Sequence, residues 1–302
     1  MSAPGASALS HDLPSPRAVV ELLKPITWFP PMWAFGCGAI SAGAPADRRW
    51  LAIGTGVLLC GPLLCGASQV INDWFDRDVD AINEPYRPIP SGRIPGRWGL
   101  YLAVFWSFAS AIVAAALGGW VLGAALLGLA LAWAYSAPPL RLKRNGWWGN
   151  AACAVCYEGL AWITGAALLA GTAAPSAATL VIAALYSLGA HGIMTLNDFK
   201  SIEGDRRMGI GSLPVRLGVA RAARVACWSM ALPQAVVVAL LAAWGRPVFA
   251  VAVGAALLAQ LGLMRRLTAS PRERAPWYNG TGVTLYVLGM LASAIALRGV
   301  GT

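Results

Sequence analysis

Nine separate runs of apolar residues fall along this chain, over about 26–45, 51–71, 98–117, 120–134, 149–170, 177–196, 222–244, 247–264 and 281–297. A helix needs roughly 17–25 such residues to cross the hydrocarbon of a bilayer. Lipid offers no partner for open backbone, so each run must become a helix that satisfies its own hydrogen bonds. Composition agrees: the chain is 58% hydrophobic with a mean hydropathy of +0.61. Only 12% of it is charged, against about a quarter in a soluble domain. The expected fold is therefore all-α and integral to a membrane, with nine transmembrane helices.

The basic residues give the orientation. With the amino terminus inside, only Arg48, Arg49, Arg246 and Arg298 of the 23 lysines and arginines fall outside, as the positive-inside rule requires. The net charge of +10 is then a topological bias with a share for anion binding, and nucleic acid is not needed to explain it. Residues 1–16 are polar, rich in Pro and Ser, and lack the charged start and apolar core of a signal. They read as a disordered cytoplasmic tail ahead of a single transmembrane domain over 17–302.

Acid is scarce in the chain, yet eight of its 13 acidic residues lie in two motifs, each at the end of an apolar run. The first, Asn72 to Arg93, carries Asp73, Asp76, Asp78, Asp80 and Glu84; the second, Asn197 to Arg206, carries Asp198, Glu203 and Asp205. Asn72, Asp76 and Asp80 recur at i, i+4 and i+8, which makes one stripe on a helix. Asp198 and Asp205 lie seven apart, two turns, and are expected to share a face. Crowded carboxylates repel unless a divalent cation or arginines neutralise them. Both motifs are expected at cytoplasmic helix ends, the first helix reaching about Ala81 before Asn83 and Pro85 stop it.

Basic, turn-rich loops follow: Arg87 to Arg93 after the first motif, Arg206 to Gly211 after the second, and Tyr135 to Arg144 between them. The spans 1–4 and 5–8 each place the acidic helix second. Two pseudo-repeated four-helix halves plus a ninth helix would bring spans two and six face to face around a central cavity.

Other features carry less. Cys37, Cys60, Cys65, Cys153, Cys156 and Cys227 all sit in apolar runs and read as small apolar residues; the CxxC at Cys153 has no second ligand pair. Trp50, Trp98, Trp120, Trp147, Trp148, Trp244 and Trp277 lie near span ends, as an interfacial belt does. Glu158 and His191 are costly in lipid and should face the interior. An interhelical hydrogen bond accounts for His191; the functional alternative is ligation of a metal in a bound acceptor, about 9 Å along the helix from Asn197.

Asparagine and aspartate oxygens without histidine or cysteine favour a hard cation such as Mg2+. Mg2+ with lysine and arginine at the mouth of an apolar cavity suits a diphosphate head on a hydrocarbon tail. The metal would stabilise charge on the departing diphosphate, so the inferred reaction is prenyl transfer within the membrane. A cation-coupled transporter is the reading from another class, and the placing of the acids at span ends, away from the midplane, speaks against it.

The strings NDWFDRDVDAINEPYRPIPSGRI, YSAPPLRLKRNGWWGN and NDFKSIEGDR resemble the UbiA superfamily of intramembrane prenyltransferases, and most of all its chlorophyll and bacteriochlorophyll synthases. The resemblance spans about 20–300. It implies nine helices, a Mg2+-bound diphosphate, and transfer of geranylgeranyl or phytyl from its diphosphate to a chlorophyllide or bacteriochlorophyllide. By position it implies that Asn72, Asp76, Asp80, Asp198 and Asp205 hold the metal. Arg77, Arg87, Arg141, Lys143 and Lys200 would contact the diphosphate, and His191 and Glu158 the acceptor. Ser201 departs from quinone-pathway members, which often carry aspartate there. A photosynthetic inner membrane and neighbouring membrane proteins of the pigment pathway are implied as surroundings. An aromatic or haem acceptor remains the alternative.

Overall fold

The computed structural model describes residues 13–43, 49–171 and 173–298. The tail expected over 1–16 lies outside the described residues as far as residue 12. Ser15 caps a short helix α1, Pro16–Leu22, by accepting from the Ala18 amide, as N-cap serines do. After a 3-10 turn come α2 (Phe29–Ser41), α3 (Trp50–Asn83), α4 (Trp98–Leu117), α5 (Gly119–Ser136), α6 (Gly146–Ala170) and α7 (Ala177–Asn197). Two short helices, α8 (Ile202–Arg207) and α9 (Leu213–Leu217), precede α10 (Val219–Ala243), α11 (Pro247–Ala269) and α12 (Pro271–Ala296).

Eight of these helices are long and apolar enough to cross a membrane. The first expected span is the exception: α2 has 13 residues, about 20 Å of helix. Pro25 starts the 3-10 turn and Pro30 and Pro31 sit in the first turn of α2; proline supplies no amide for a preceding turn, so the helix starts late. The last span shows the opposite error. It begins at Pro271, well before 281, because Pro276 and the polar residues around it are carried inside the helix. Large apolar side chains such as Phe105, Ile112, Val251 and Leu258 remain exposed on the outside, the surface a multi-pass protein offers to lipid.

Two spans bend. In α3 the segment Leu59–Cys65 widens to a π-type turn around Pro62, whose carbonyl accepts from Trp106 Nε1 at 3.0 Å. In α6 the segment Val155–Leu160 does the same. Such bulges rotate the side chains that follow them. Tyr157 meets α3 there, accepting from Gln69 Nε2 at 3.1 Å and from the Cys65 thiol at 3.5 Å.

The two halves are joined where α2 crosses α6. A Cβ on Gly38 would run into the Trp162 carbonyl, and one on Gly165 into the carbonyl of Phe35, so the backbones touch as small-residue crossings allow. Elsewhere α7 lies along α10 and α11 along α12. Buried Gln234 and Gln260 pair reciprocally at 3.1 and 2.9 Å across α10 and α11.

The crossing sets a measurable expectation. Gly165→Val should lower the unfolding midpoint in detergent by an amount equivalent to about 1–3 kcal/mol. Gly36→Ala, on the same helix as Gly38 but with nothing within 4 Å of its added Cβ, should leave the midpoint unchanged or raise it.

Candidate active site

The acidic end of α3 leaves the apolar part of its helix and ends at Asn83, where Pro85 prevents continuation. Its carboxylates are neutralised one by one. Asp73, 1% exposed, accepts from Lys24 Nζ at 2.6 Å and from Arg87 at 3.3 Å. Arg87 also reaches Asp80 at 2.9 Å and pairs with Glu84. Burial works against the Arg87 charge, but Asp73, Asp80 and Glu84 outweigh it and hold the guanidinium above its ordinary value. Asp76 is gripped by Lys143, whose Nζ lies 2.6 Å from each carboxylate oxygen, and by Arg141 at 3.3 Å. Burial pulls the Lys143 ammonium below the ordinary lysine value, with Asp76 opposing.

Lys24 (φ 48°) and Arg141 (φ 41°) are the non-glycine residues with left-handed backbone among those described. Each precedes a 3-10 turn and each points a cation at this helix. Single non-glycine residues adopt this conformation at a cost of about 1–2 kcal/mol, which the ion pairs to Asp73 and Asp76 offset. Helix α1 is held to the loop after α3 by Arg93, which donates to Glu21 at 2.8 Å, and by Ala18, Leu22, Leu23 and Ile94 packed against Val70 and Ile71.

The second motif is built differently from expectation. Helix α7 ends at Asn197, Asp198–Lys200 form a 3-10 turn, and the chain breaks at Ser201 before α8. Asp198 and Asp205 thus lie on two elements, and the two-turn spacing on one continuous helix does not hold. Asp198 accepts from Asn150 Nδ2 at 3.0 Å, while Asn197 accepts from Asn279 at 3.0 Å. Asp205 is buried, which raises its carboxyl above the ordinary range. Neither Asp198 nor Asp205 has a lysine or arginine within ion-pair distance among the described residues. A backbone bridge between Asn145 and Gly211, with Gly146 donating to Gly211 at 2.8 Å, ties the basic loop before α6 to the loop after α8.

The motifs meet at a cavity of about 390 Å³ between α3, α5, α6 and α7. Asn72, Tyr135, Asn197 and Lys200 line its polar part; Leu64, Ala124, Gly128, Leu131, Leu160 and Ala161 line the apolar remainder. Spans two and six therefore do face each other across a cavity. The motif asparagines and aspartates offer oxygen donors, although no three His, Cys, Asp or Glu side chains form a ready metal cage among the described residues.

Of the expected site residues, only Asn72 and Lys200 are among those that line the cavity. Asp76, Asp80, Asp198 and Asp205, with Arg87, Arg141 and Lys143, are not, and Arg77, Glu158 and His191 are turned elsewhere. Arg77 donates to its own helix at Trp74 (2.7 Å), stacks 4.3 Å from the Trp74 ring centroid, and pairs with exposed Asp78. One position past Asp76 on a helix, it points about 100° away from the stripe. Glu158 follows Tyr157 and is turned the same way off the cavity wall, into the packing near Cys37 and Tyr286, with Oε2 unpartnered. His191 Nε2 lies 3.3 Å from the Trp147 carbonyl and its ring stacks on Trp147, the interhelical bond of the plainer reading. In turn, sequence reasoning did not single out Asp73, Lys24 or Asn150 as site residues. The halves themselves held the signal: Asp73 and Asp198 both follow the motif asparagine, and each takes its donor from the start of the preceding span.

Lys24→Met should leave Asp73 short of its main partner and lower stability by roughly 1–3 kcal/mol. Adding Asp73→Asn should restore most of the loss. A double mutant no more stable than Lys24→Met would show that the pair is not coupled.

The sequence pattern of the UbiA prenyltransferase family matches residues 28–295. The bacteriochlorophyll synthase 33 kDa chain of Cereibacter sphaeroides is 56% identical over 289 residues, covering 96% of this chain and 95% of that one. The chloroplastic chlorophyll synthase of Oryza sativa subsp. japonica is 37% identical over 296 residues, covering 92% and 76%. Among solved structures, a UbiA homolog from Archaeoglobus fulgidus bound to DMAPP and Mg2+ has a TM-score of 0.66 at 20% identity, covering 94% and 99%. The chain belongs to the UbiA prenyltransferase family.

Proposed function

We propose that this protein is a bacteriochlorophyll synthase, transferring a C20 prenyl group, geranylgeranyl or phytyl, from its diphosphate to the propionate of bacteriochlorophyllide. The observation that carries the chemistry is a cavity whose polar part takes Asn72 from the first motif and Asn197 and Lys200 from the second, with apolar walls beyond. Identity of 48–56% over 92–99% of the chain to bacterial synthases, against 36–38% to chloroplast ones, supports the bacterial pigment as acceptor.

Arg87, Arg141 and Lys143 are the cations for the diphosphate. Asn72, Asp76, Asp80, Asp198 and Asp205 would hold Mg2+. The donor set fits a hard cation: oxygen ligands only, with two second-motif carboxylates that lack a counter-cation among the described residues. When bound, Mg2+ supplies positive charge to the departing diphosphate. The apolar walls take the prenyl tail and keep water from the allylic carbon. The acceptor carboxylate is ionised at neutral pH, so one of its oxygens attacks the allylic C1 without a general base. The new ester C–O bond forms, the C1–O bond to diphosphate breaks, and the electron pair leaves with diphosphate; no proton changes hands. The excess of lysine and arginine at the motif end supports a site open to the cytoplasm of a bacterial inner membrane.

Purified protein given bacteriochlorophyllide and geranylgeranyl diphosphate should form the ester and release diphosphate, with loss on chelation of divalent ions. Asp76→Ala and Asp198→Ala should each lower kcat by on the order of 10²-fold or more. Cation-driven solute uptake without diphosphate release would instead support transport.

Asp205 should contribute to the acid limb of cation binding. Burial raises its pKa, so it takes a proton at a pH above the ordinary carboxylate value of about 4. Cation binding needs the ionised form and should be lost as pH falls through that raised value. A limb at or below about 4 would contradict this assignment.

A further inference from the structure

We infer that Lys200 binds the carboxylate of the acceptor and stands outside the diphosphate set, an assignment that rests on the esterification reading above. The cations around the first motif are all engaged: Lys24 with Asp73, Arg87 with Asp73, Asp80 and Glu84, Arg141 and Lys143 with Asp76. Lys200 lines the cavity from the opposite wall, together with Met194 and Asn197. It has no carboxylate within ion-pair distance among the described residues. The acid on its own turn, Asp198, takes its hydrogen bond from Asn150 at 3.0 Å and forms no ion pair with Lys200. Lys200 itself is exposed at the end of the 3-10 turn, so its ammonium is open to an incoming ligand.

The chemistry asks for such a group. A carboxylate nucleophile must approach a carbon attached to a diphosphate, and like charges at short range oppose the approach. A cation on the acceptor side, separate from those on the donor side, lowers that repulsion and fixes the attacking oxygen. An aromatic acceptor without a carboxylate gains nothing from it, so Lys200 is a specificity residue for carboxylate acceptors.

The test compares bacteriochlorophyllide with its methyl ester, which keeps the macrocycle and removes the charge. Binding to the purified full chain is read by chlorin fluorescence, and binding of inorganic pyrophosphate with Mg2+ is read by calorimetry. Wild type should prefer the free acid by on the order of ten- to a hundred-fold, the loss that accompanies one charge-assisted hydrogen bond. Lys200→Met should abolish that preference, Lys200→Arg should keep most of it, and both should bind pyrophosphate as wild type does. Lys143→Met should do the reverse. Equal binding of acid and ester by wild type overturns the assignment. So does a Lys200→Met protein that keeps the acid preference and loses pyrophosphate. A wild type that does not esterify bacteriochlorophyllide would overturn the functional reading itself, whatever Lys200 does.

Discussion

Four carboxylates crowd the last turns of one helix at the edge of an apolar bundle, and the surrounding structure is arranged to neutralise them. Lys24 comes from the segment before α2, Arg87 from the loop after α3, and Arg141 and Lys143 from the loop after α5. Each ion pair fixes a different piece of chain over the same helix end. Like charges this close, partly removed from water, repel unless counter-charges sit among them. The left-handed backbone at Lys24 and Arg141 is the local consequence.

The apolar body prepares the cavity below. Both π-type segments occur in helices that line it, and they bring Cys65 and Tyr157 into contact across it. Glycines at the α2–α6 crossing let the two halves approach to backbone contact. Small residues along α5, Ala124 and Gly128 among them, leave the volume open. Room for a chain-like ligand thus comes from where side chains are small, next to a polar end that can hold a charged head.

The repeat is architectural, yet its two sites differ electrostatically. Asp73 is met by an ammonium and Asp198 by an amide. The first motif therefore carries carboxylates matched by cations, while the second carries Asp198 and Asp205 without a counter-cation and Lys200 without a carboxylate partner among the described residues. A reaction that joins an anionic donor to an anionic acceptor has use for such a division, since the two substrates must be held by separate charges.

Periodicity and composition determined much on their own. The long apolar runs required membrane-crossing helices because lipid cannot pair with open backbone, and Asn72, Asp76 and Asp80 shared a stripe because α3 is continuous through them. Proline defeated the pattern at α2, where it shortened the helix, and at α12, where it was absorbed. Only the tertiary structure decided which charges meet. Lys24 and Asp73 stand 49 residues apart, Lys143 and Asp76 67, and nothing local records those distances. It also broke the second motif at Ser201 and turned Arg77, Glu158 and His191 away from the cavity. A side chain's direction depends on the exact phase of its helix and on what packs beside it, and the residue types alone do not carry that information.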